Sequence, residues 1–561
     1  MAGGENMTRG TIADVSWRDL LAQDPYYWLS NSFQYSENLN CDDELHWIKL
    51  SQKAESWSQC ANCQLVMAGE NVFALPLSGG TIKIFNKNNW TSPTSTAGTI
   101  GSGKWAGWVI FQDYLWYGTR NATSSWLNRI KVNGAGSVEY FKPYDHTWYG
   151  DDDIESYTNK TKVMWPELSC ILNYNNTRLI CGVGQELRVY YPELDQKDKE
   201  KKIYPRVGEI IQPGETGWKK VQEFEDWCTI IGLTCTFEYL KVWVQDEWWN
   251  TKIYFYPGND DLRNVFTYNI TDLTNTKVLR VYSINSIDYF TASLDGTDWY
   301  ITFNKLVGNT PIQIFKQRGW LSEYDVNQKA WYFIWPTSID AAYLDGAFYV
   351  ADSYGVFKFL FNPQGNDKGY LKWKLRNSNQ NCPWLAICEN FLYVSDQNWL
   401  KRMRLYDTWV DWYQSQWLLI SREMEWDYWW CISKMLEEVR LHFELNPLIS
   451  SSQNAGDIDI YVSPNNTRRH VNPEIDDEWW YHVMHIDGSS SSQNRKTRWE
   501  RTNVLNNLDG GNPAFSFDWE TITYCVVINR WSSSAEWTPI VREVKLSYKL
   551  KGKTNNIYWI K

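Results

Sequence analysis

No apolar run in this 561-residue chain approaches the roughly 18 to 20 residues that a membrane-spanning helix needs. The N-terminus, Met1 to Arg9, lacks the charged-then-apolar plan of a secretory leader, so cytoplasmic synthesis without cleavage is expected. On that expectation the sequons at Asn121-Ala122-Thr123 and Asn269-Ile270-Thr271 are incidental. Clustered basic residues are also missing. The net charge of −11 is spread along the chain, which argues against general affinity for nucleic acid, since phosphate binding needs gathered Lys and Arg. An acidic excess of this kind serves solubility. The other reading is an acidic lumen that repels DNA, so that it slides through without sticking.

Histidine is scarce, six residues in all, and neither a His-Glu-x-x-His run nor a Gly-x-Ser-x-Gly elbow occurs. Cysteine number is odd, at eleven, with a single CxxC at Cys60-Ala61-Asn62-Cys63. A zinc ribbon needs a second pair, or histidines at ligand spacing, and none follows closely. Cys170, Cys181, Cys228, Cys235, Cys388, Cys431 and Cys525 fall in apolar, strand-like runs, where a buried free thiol is the usual state. Reduced cysteine is expected throughout.

What the chain does have is repetition. Phe348 to Lys358 lies over Leu392 to Arg402, 44 residues on, each reading as an apolar strand, a polar turn and a second strand carrying basic residues. Weaker copies run from Val72 to Phe85, Tyr114 to Val132, Leu179 to Tyr190 and Val242 to Tyr256. Second-strand cores recur at Ile82–Phe85, Arg129–Val132, Leu187–Tyr190, Lys252–Tyr256, Ile312–Phe315, Val356–Phe359 and Met403–Tyr406. A period of about 40 to 50 residues with several strands per unit is the signature of a β-propeller.

The fold expected is therefore all-β: a six- or seven-bladed β-propeller over 45–415, after an extended segment over 1–44, followed by a C-terminal β-sandwich over 416–561. In the last region Asp457 to Val462 alternates strictly, as a half-buried strand does. Ile458, Ile460, Val462, Val526, Ile528, Val544 and Leu546 can then face one core between two sheets.

Candidate chemistry is sparse. Gly98 to Lys104 fits the first part of a phosphate-binding loop, but Trp105 stands where the magnesium-binding hydroxyl belongs, and no strand-then-helix context surrounds it. Ser293 to Trp299 resembles the Asp-box turn of sialidase-like propellers, with its glycine one residue early, and reads as an Asp-Gly hairpin. Asp151-Asp152-Asp153 and Asp260-Asp261 lack the glycine and distal glutamate of a calcium loop. His482 and His485, three apart in a strand-like run, are expected on opposite faces, which disfavours a shared metal. No catalytic residue, cofactor site or metal site is expected, and the chain reads as non-enzymatic.

Three stretches carry a resemblance to tail proteins of bacteriophage virions, the short-tail nozzle proteins in particular. Asn31 to Asn40 with Ile48 to Ser51 is similar to the opening of such proteins, the repeats to Tyr406 are the second, and Thr538 to Tyr548 is similar to a terminal sandwich strand. The resemblance implies a structural role in the virion, with no catalytic residues to carry over. It implies a ring or other symmetric homo-oligomer in contact with other tail proteins. The rival reading is a carbohydrate-binding or glycoside-active propeller that uses clustered aromatics.

Aromatic residues reach 16%, with 36 tryptophans. In the two best repeats Gly355 aligns with Trp399, at a turn where glycine would supply positive φ. Glu247-Trp248-Trp249-Asn250, Asp427-Tyr428-Trp429-Trp430 and Glu478-Trp479-Trp480-Tyr481 likewise put tryptophan where hairpins favour glycine. Two readings follow. Exposed tryptophans serve partner contact, or some tryptophan codons are reassigned and the residue made there is glycine.

Overall fold

The computed structural model describes residues 9–15, 33–40, 49–51, 54–120, 125–132, 139–141, 168–190, 218–257, 268–294, 300–318, 322–325, 330–333, 340–360, 368–374, 384–405, 416–421, 433–444, 456–464, 480–486, 498–503, 522–529 and 539–551, apart from a few turn positions inside these ranges. Every regular element among them is a β-strand. The segments are rich in Val, Ile, Tyr, Phe and Thr, which suit a pleated surface, and are cut by Gly, Asn and Asp turns.

Among the described residues, seven four-stranded antiparallel sheets follow one another between residues 55 and 404, the first six of them simple meanders. The first four open at Cys63–Ala68, Lys104–Phe111, Leu168–Tyr174 and Cys228–Cys235. The last three open at Thr276–Ile284, Asp340–Leu344 and Trp384–Cys388. The two best sequence repeats occupy equivalent places. Ala347–Ala351 with Gly355–Leu360, and Phe391–Ser395 with Leu400–Arg404, are the second and third strands of the sixth and seventh sheets. One recurrence was misplaced: Ile312–Phe315 lies in the fourth strand of its sheet, Thr310–Arg318, while the third is Tyr300–Val307. Apolar alternation is the same in both strands, so the pattern alone could not separate them.

Apolar clusters fill the seams between neighbouring sheets. Phe111 and Trp116 of the second sheet meet Ile171, Leu179 and Tyr190 of the third. Trp243 and Ile253 of the fourth meet Val278 and Phe290 of the fifth. Tyr289 packs on Phe348 with ring centroids 4.5 Å apart, joining fifth to sixth. Leu65 and Val72 of the first sheet share a cluster with Cys388 and Tyr393 of the seventh, so the array closes on itself. Each fully buried Leu, Val or Phe contributes about 1.5–3 kcal/mol, and closure leaves the short sheets no long open face. The fold is all-β and of the β-propeller type. Glycine permits two of the close approaches: a Cβ at Gly182 would meet Ile230 at 2.7 Å, and one at Gly232 would meet Val281 at 2.7 Å.

The seventh sheet takes its fourth strand from the other end of the array. Glu55–Trp57 pairs with Leu400–Arg404, in the register Leu400 to Trp57 and Arg402 to Glu55. Arg402 also grips Glu55 at 2.6 Å. Just after Glu55–Trp57, the Cys63 N–H donates to Ser395 Oγ at 3.0 Å, and the same hydroxyl donates to the Cys60 carbonyl at 2.8 Å. The CxxC run is thus the turn that seals the array.

Besides the two-stranded pairs Leu39–Asn40 with Lys49–Leu50 and Ser322–Asp325 with Ala330–Phe333, two larger sheets stand outside the array among the described residues. One has the order Phe33–Glu37, Gln416–Ser421, Ile522–Asn529, Asp457–Pro464, Tyr481–Ile486. The other runs Arg9–Val15, Ile540–Lys551, Ser433–Glu444, Arg498–Asn503. Both feed one cluster, which holds Ile458, Ile460, Val462, Val526, Ile528, Val544 and Leu546. The lead-in expected over residues 1–44 is revised: Arg9–Val15 and Phe33–Glu37 are edge strands of these two sheets. Leu50, further on, is buried in the same cluster. The expected half-burial of Asp457–Val462 also changes. Asp457 and Asp459 are buried as well, because strands flank this segment on both sides.

Candidate functional site

Asp459 sits in the strand Asp457–Pro464, paired on one side with Ile522–Asn529 and on the other with Tyr481–Ile486, the edge strand of its sheet. The pairing with the edge strand slips. Ile460 faces Met484 but Tyr461 faces His482, leaving Val483 as an extra residue. This β-bulge re-aims the side chains around it. Val483 and Met484 both turn into the core, and His482 and His485 both turn outward.

The expectation that the two histidines point to opposite faces is therefore corrected. Period-two alternation holds only in an unbroken strand, and the bulge shifts the phase by one residue. His482 Nε2 and His485 Nδ1 each lie 2.8 Å from the same oxygen, Asp459 Oδ1. The His side chains are half-exposed, at 46% and 47%, while that of Asp459 is 11% exposed. Burial alone would raise the Asp459 pKa. The hydrogen bonds from His482 and His485 outweigh it and hold the carboxyl below its ordinary value. Tyr461 packs against the His482 ring with centroids 4.8 Å apart. Two imidazole nitrogens and a carboxylate oxygen, all within 4.8 Å of one another, make a donor set for a cation.

A second locality is the end of the fourth sheet. The tight turn from Asp246 to Asn250 carries Trp248 and Trp249, and Trp227 precedes the first strand of the same sheet. First and third strands of a meander run the same way, so these three exposed tryptophans gather at one end. Trp227, Asp246, Asn250, Lys252 and Tyr254 line a cleft there of about 310 Å³. Trp399, 45% exposed, takes the equivalent turn of the seventh sheet.

The remaining sequence candidates separate. Gly98 to Lys104 spans the end of the strand Thr94–Ile100 and the start of Lys104–Phe111, so it joins two strands and opens no helix. Cys60 and Cys63 are buried free thiols, pushed up to about 11 and about 12, chiefly by burial. Asp151 to Asp153, Asp260, Asp261, Asp295 to Trp299, Trp429, Trp430 and Trp479 lie outside the described residues. The Asp459 cluster was missed because nothing in a sequence marks a bulge inside an apolar strand.

No protein-family model and no curated protein matches the chain. Among solved structures it is similar to a chain of the mitotic checkpoint complex, at 11% identity and a TM-score of 0.39 over 64% of this chain and 92% of that one. YCF48 bound to D1 peptide is similar at 8% identity and a TM-score of 0.36, over 65% of this chain and 99% of that one. Kuenenia stuttgartiensis hydrazine synthase is similar at 8% and 0.37, over 61% and 96%. Likeness this distant carries no argument about function; the order and closure of the sheets are what make the chain a β-propeller.

Proposed function

We propose that the chain is a non-enzymatic structural protein of a bacteriophage virion, a tail component of the nozzle or hub kind that assembles as a symmetric homo-oligomer. In this reading the seven sheets are seven blades, and the two larger sheets outside the array are a β-sandwich. The observation that supports it is the threading of the chain. Strands from before the array and from after it pair in the same two sheets, so both chain connections of the propeller lead into one sandwich. Such a joint resists being pulled apart, because separating the modules means unzipping backbone hydrogen bonds at both connections. That suits a wall element under load, with neighbouring subunits and other tail proteins docked on the sandwich and DNA passing an acidic lumen.

Electron microscopy of the purified full chain tests this reading directly. Rings or tubes of a defined subunit number are expected, and a monodisperse monomer at every concentration and salt would overturn it. The carbohydrate-binding reading draws support from the tryptophans at one end of the fourth sheet, beside the cleft with Asp246 and Asn250. Glycan-array binding by the monomer, lost in Trp227→Ala, is the result that would favour it.

A further inference from the structure

We propose that Asp459, His482 and His485 bind a divalent transition-metal ion of the zinc class, with a coordination position left open toward solvent. The donor chemistry selects the ion. Two imidazoles and one carboxylate suit zinc, cobalt, nickel or copper, whereas magnesium and calcium take oxygen donors. The geometry is nearly assembled, since both ring nitrogens already converge on Asp459 Oδ1 at 2.8 Å. Bonds of about 2.0–2.2 Å to such an ion would ask each ring nitrogen to part from Asp459 Oδ1 by about half an ångström, and the two nitrogens, within 4.8 Å of each other, to settle at tetrahedral spacing. The half-exposed rings can make that adjustment by small rotations.

Pre-organisation comes from the two strands. Asp459 is held in an interior strand by neighbours on both sides. The bulge at Val483 fixes the two histidines on one face, and Tyr461 packs on the His482 ring. Because Tyr481–Ile486 is the edge strand, the open position faces outward. Water or a donor from a neighbouring molecule can complete the tetrahedron there. A metal at this point would also fasten the edge strand across its irregular pairing.

Cobalt titration of the chelator-treated full chain tests the site, with zinc as competitor. Visible d–d absorption of a four-coordinate cobalt site is expected at one equivalent and should be abolished by zinc. His482→Ala and His485→Ala are each expected to weaken binding by more than about tenfold, and zinc should raise Tm in the parent chain but not in them. His442→Ala, on the other sheet, is the control and should bind as the parent does. The histidines are exposed, so their variants remain informative even where Asp459→Asn fails to fold. No cobalt spectrum in the parent chain, or an unchanged spectrum in both histidine variants, would overturn the proposal.

Discussion

Trp249 donates its backbone N–H to the carbonyl of Asp246 at 3.1 Å while holding a φ of 65°. Bulky side chains avoid this left-handed region, at a cost of roughly 1–2 kcal/mol. The turn is set by Asp246, whose carboxylate accepts the N–H groups of Trp248 and Asn250 at 2.9 and 2.8 Å. Trp249→Gly is therefore expected to raise the unfolding free energy by about 1–2 kcal/mol, read as a higher denaturant midpoint. A glycine at 249 would hold the same φ without that cost, which is what the codon-reassignment reading requires. Peptide mass across residues 246 to 252 of protein isolated from its native source decides it, and two tryptophan masses would sink the codon reassignment.

A buried ion pair joins the fourth and fifth sheets. Lys241 Nζ lies 2.6 Å from Asp288 Oδ2, with the aspartate fully buried. Removing the lysine alone strands a buried charge, so Lys241→Met is expected to cost about 3–5 kcal/mol. The double variant Lys241→Met, Asp288→Leu should recover most of that loss. A double variant no more stable than Lys241→Met would show that the pair is not the cause.

The CxxC thiols should be silent in the native protein. With pKa values near 11 and 12, Cys60 and Cys63 stay protonated at pH 8, and the thiolate is the reactive form. A disulfide reagent should label them only on unfolding. The sign of the pH effect follows. Above the ordinary value of 9.0 the unfolded chain releases protons that the folded chain keeps, so stability falls as pH rises from about 9 toward 12. Labelling of either thiol within minutes in native buffer contradicts this.

Closure of the array hangs on Ser395. Its hydroxyl bonds both the Cys63 N–H and the Cys60 carbonyl in a buried setting. Ser395→Ala leaves two backbone groups without that partner and should cost about 1–3 kcal/mol, with proteolysis appearing first near residues 55–63. A variant as stable as the parent would mean that strand pairing alone seals the seam.

On the proposed virion reading, the two larger sheets outside the array carry subunit docking. Ending the chain near Ser415 removes the partners of Arg9–Val15 and Phe33–Glu37, so the clean deletion keeps residues 52–415 only. This fragment should be soluble and fail to form particles. Incorporation at normal copy number would move the interface to the propeller.

Some of this was legible in the residues themselves. The repeat of Phe348 to Lys358 at Leu392 to Arg402 fixed the unit, because side-chain alternation and turn chemistry are local properties written in order along the chain. The alternating set from Ile458 to Leu546 fixed one core for the same reason. Tertiary structure alone decided what non-local pairing governs. Only backbone hydrogen bonds across hundreds of residues place Glu55–Trp57 beside Leu400–Arg404 and bring Arg9–Val15 to Ile540–Lys551. A single unpaired residue, Val483, turned His482 and His485 toward one carboxylate. Composition cannot encode that phase shift, because it arises from the register that two strands settle into when their cores are packed.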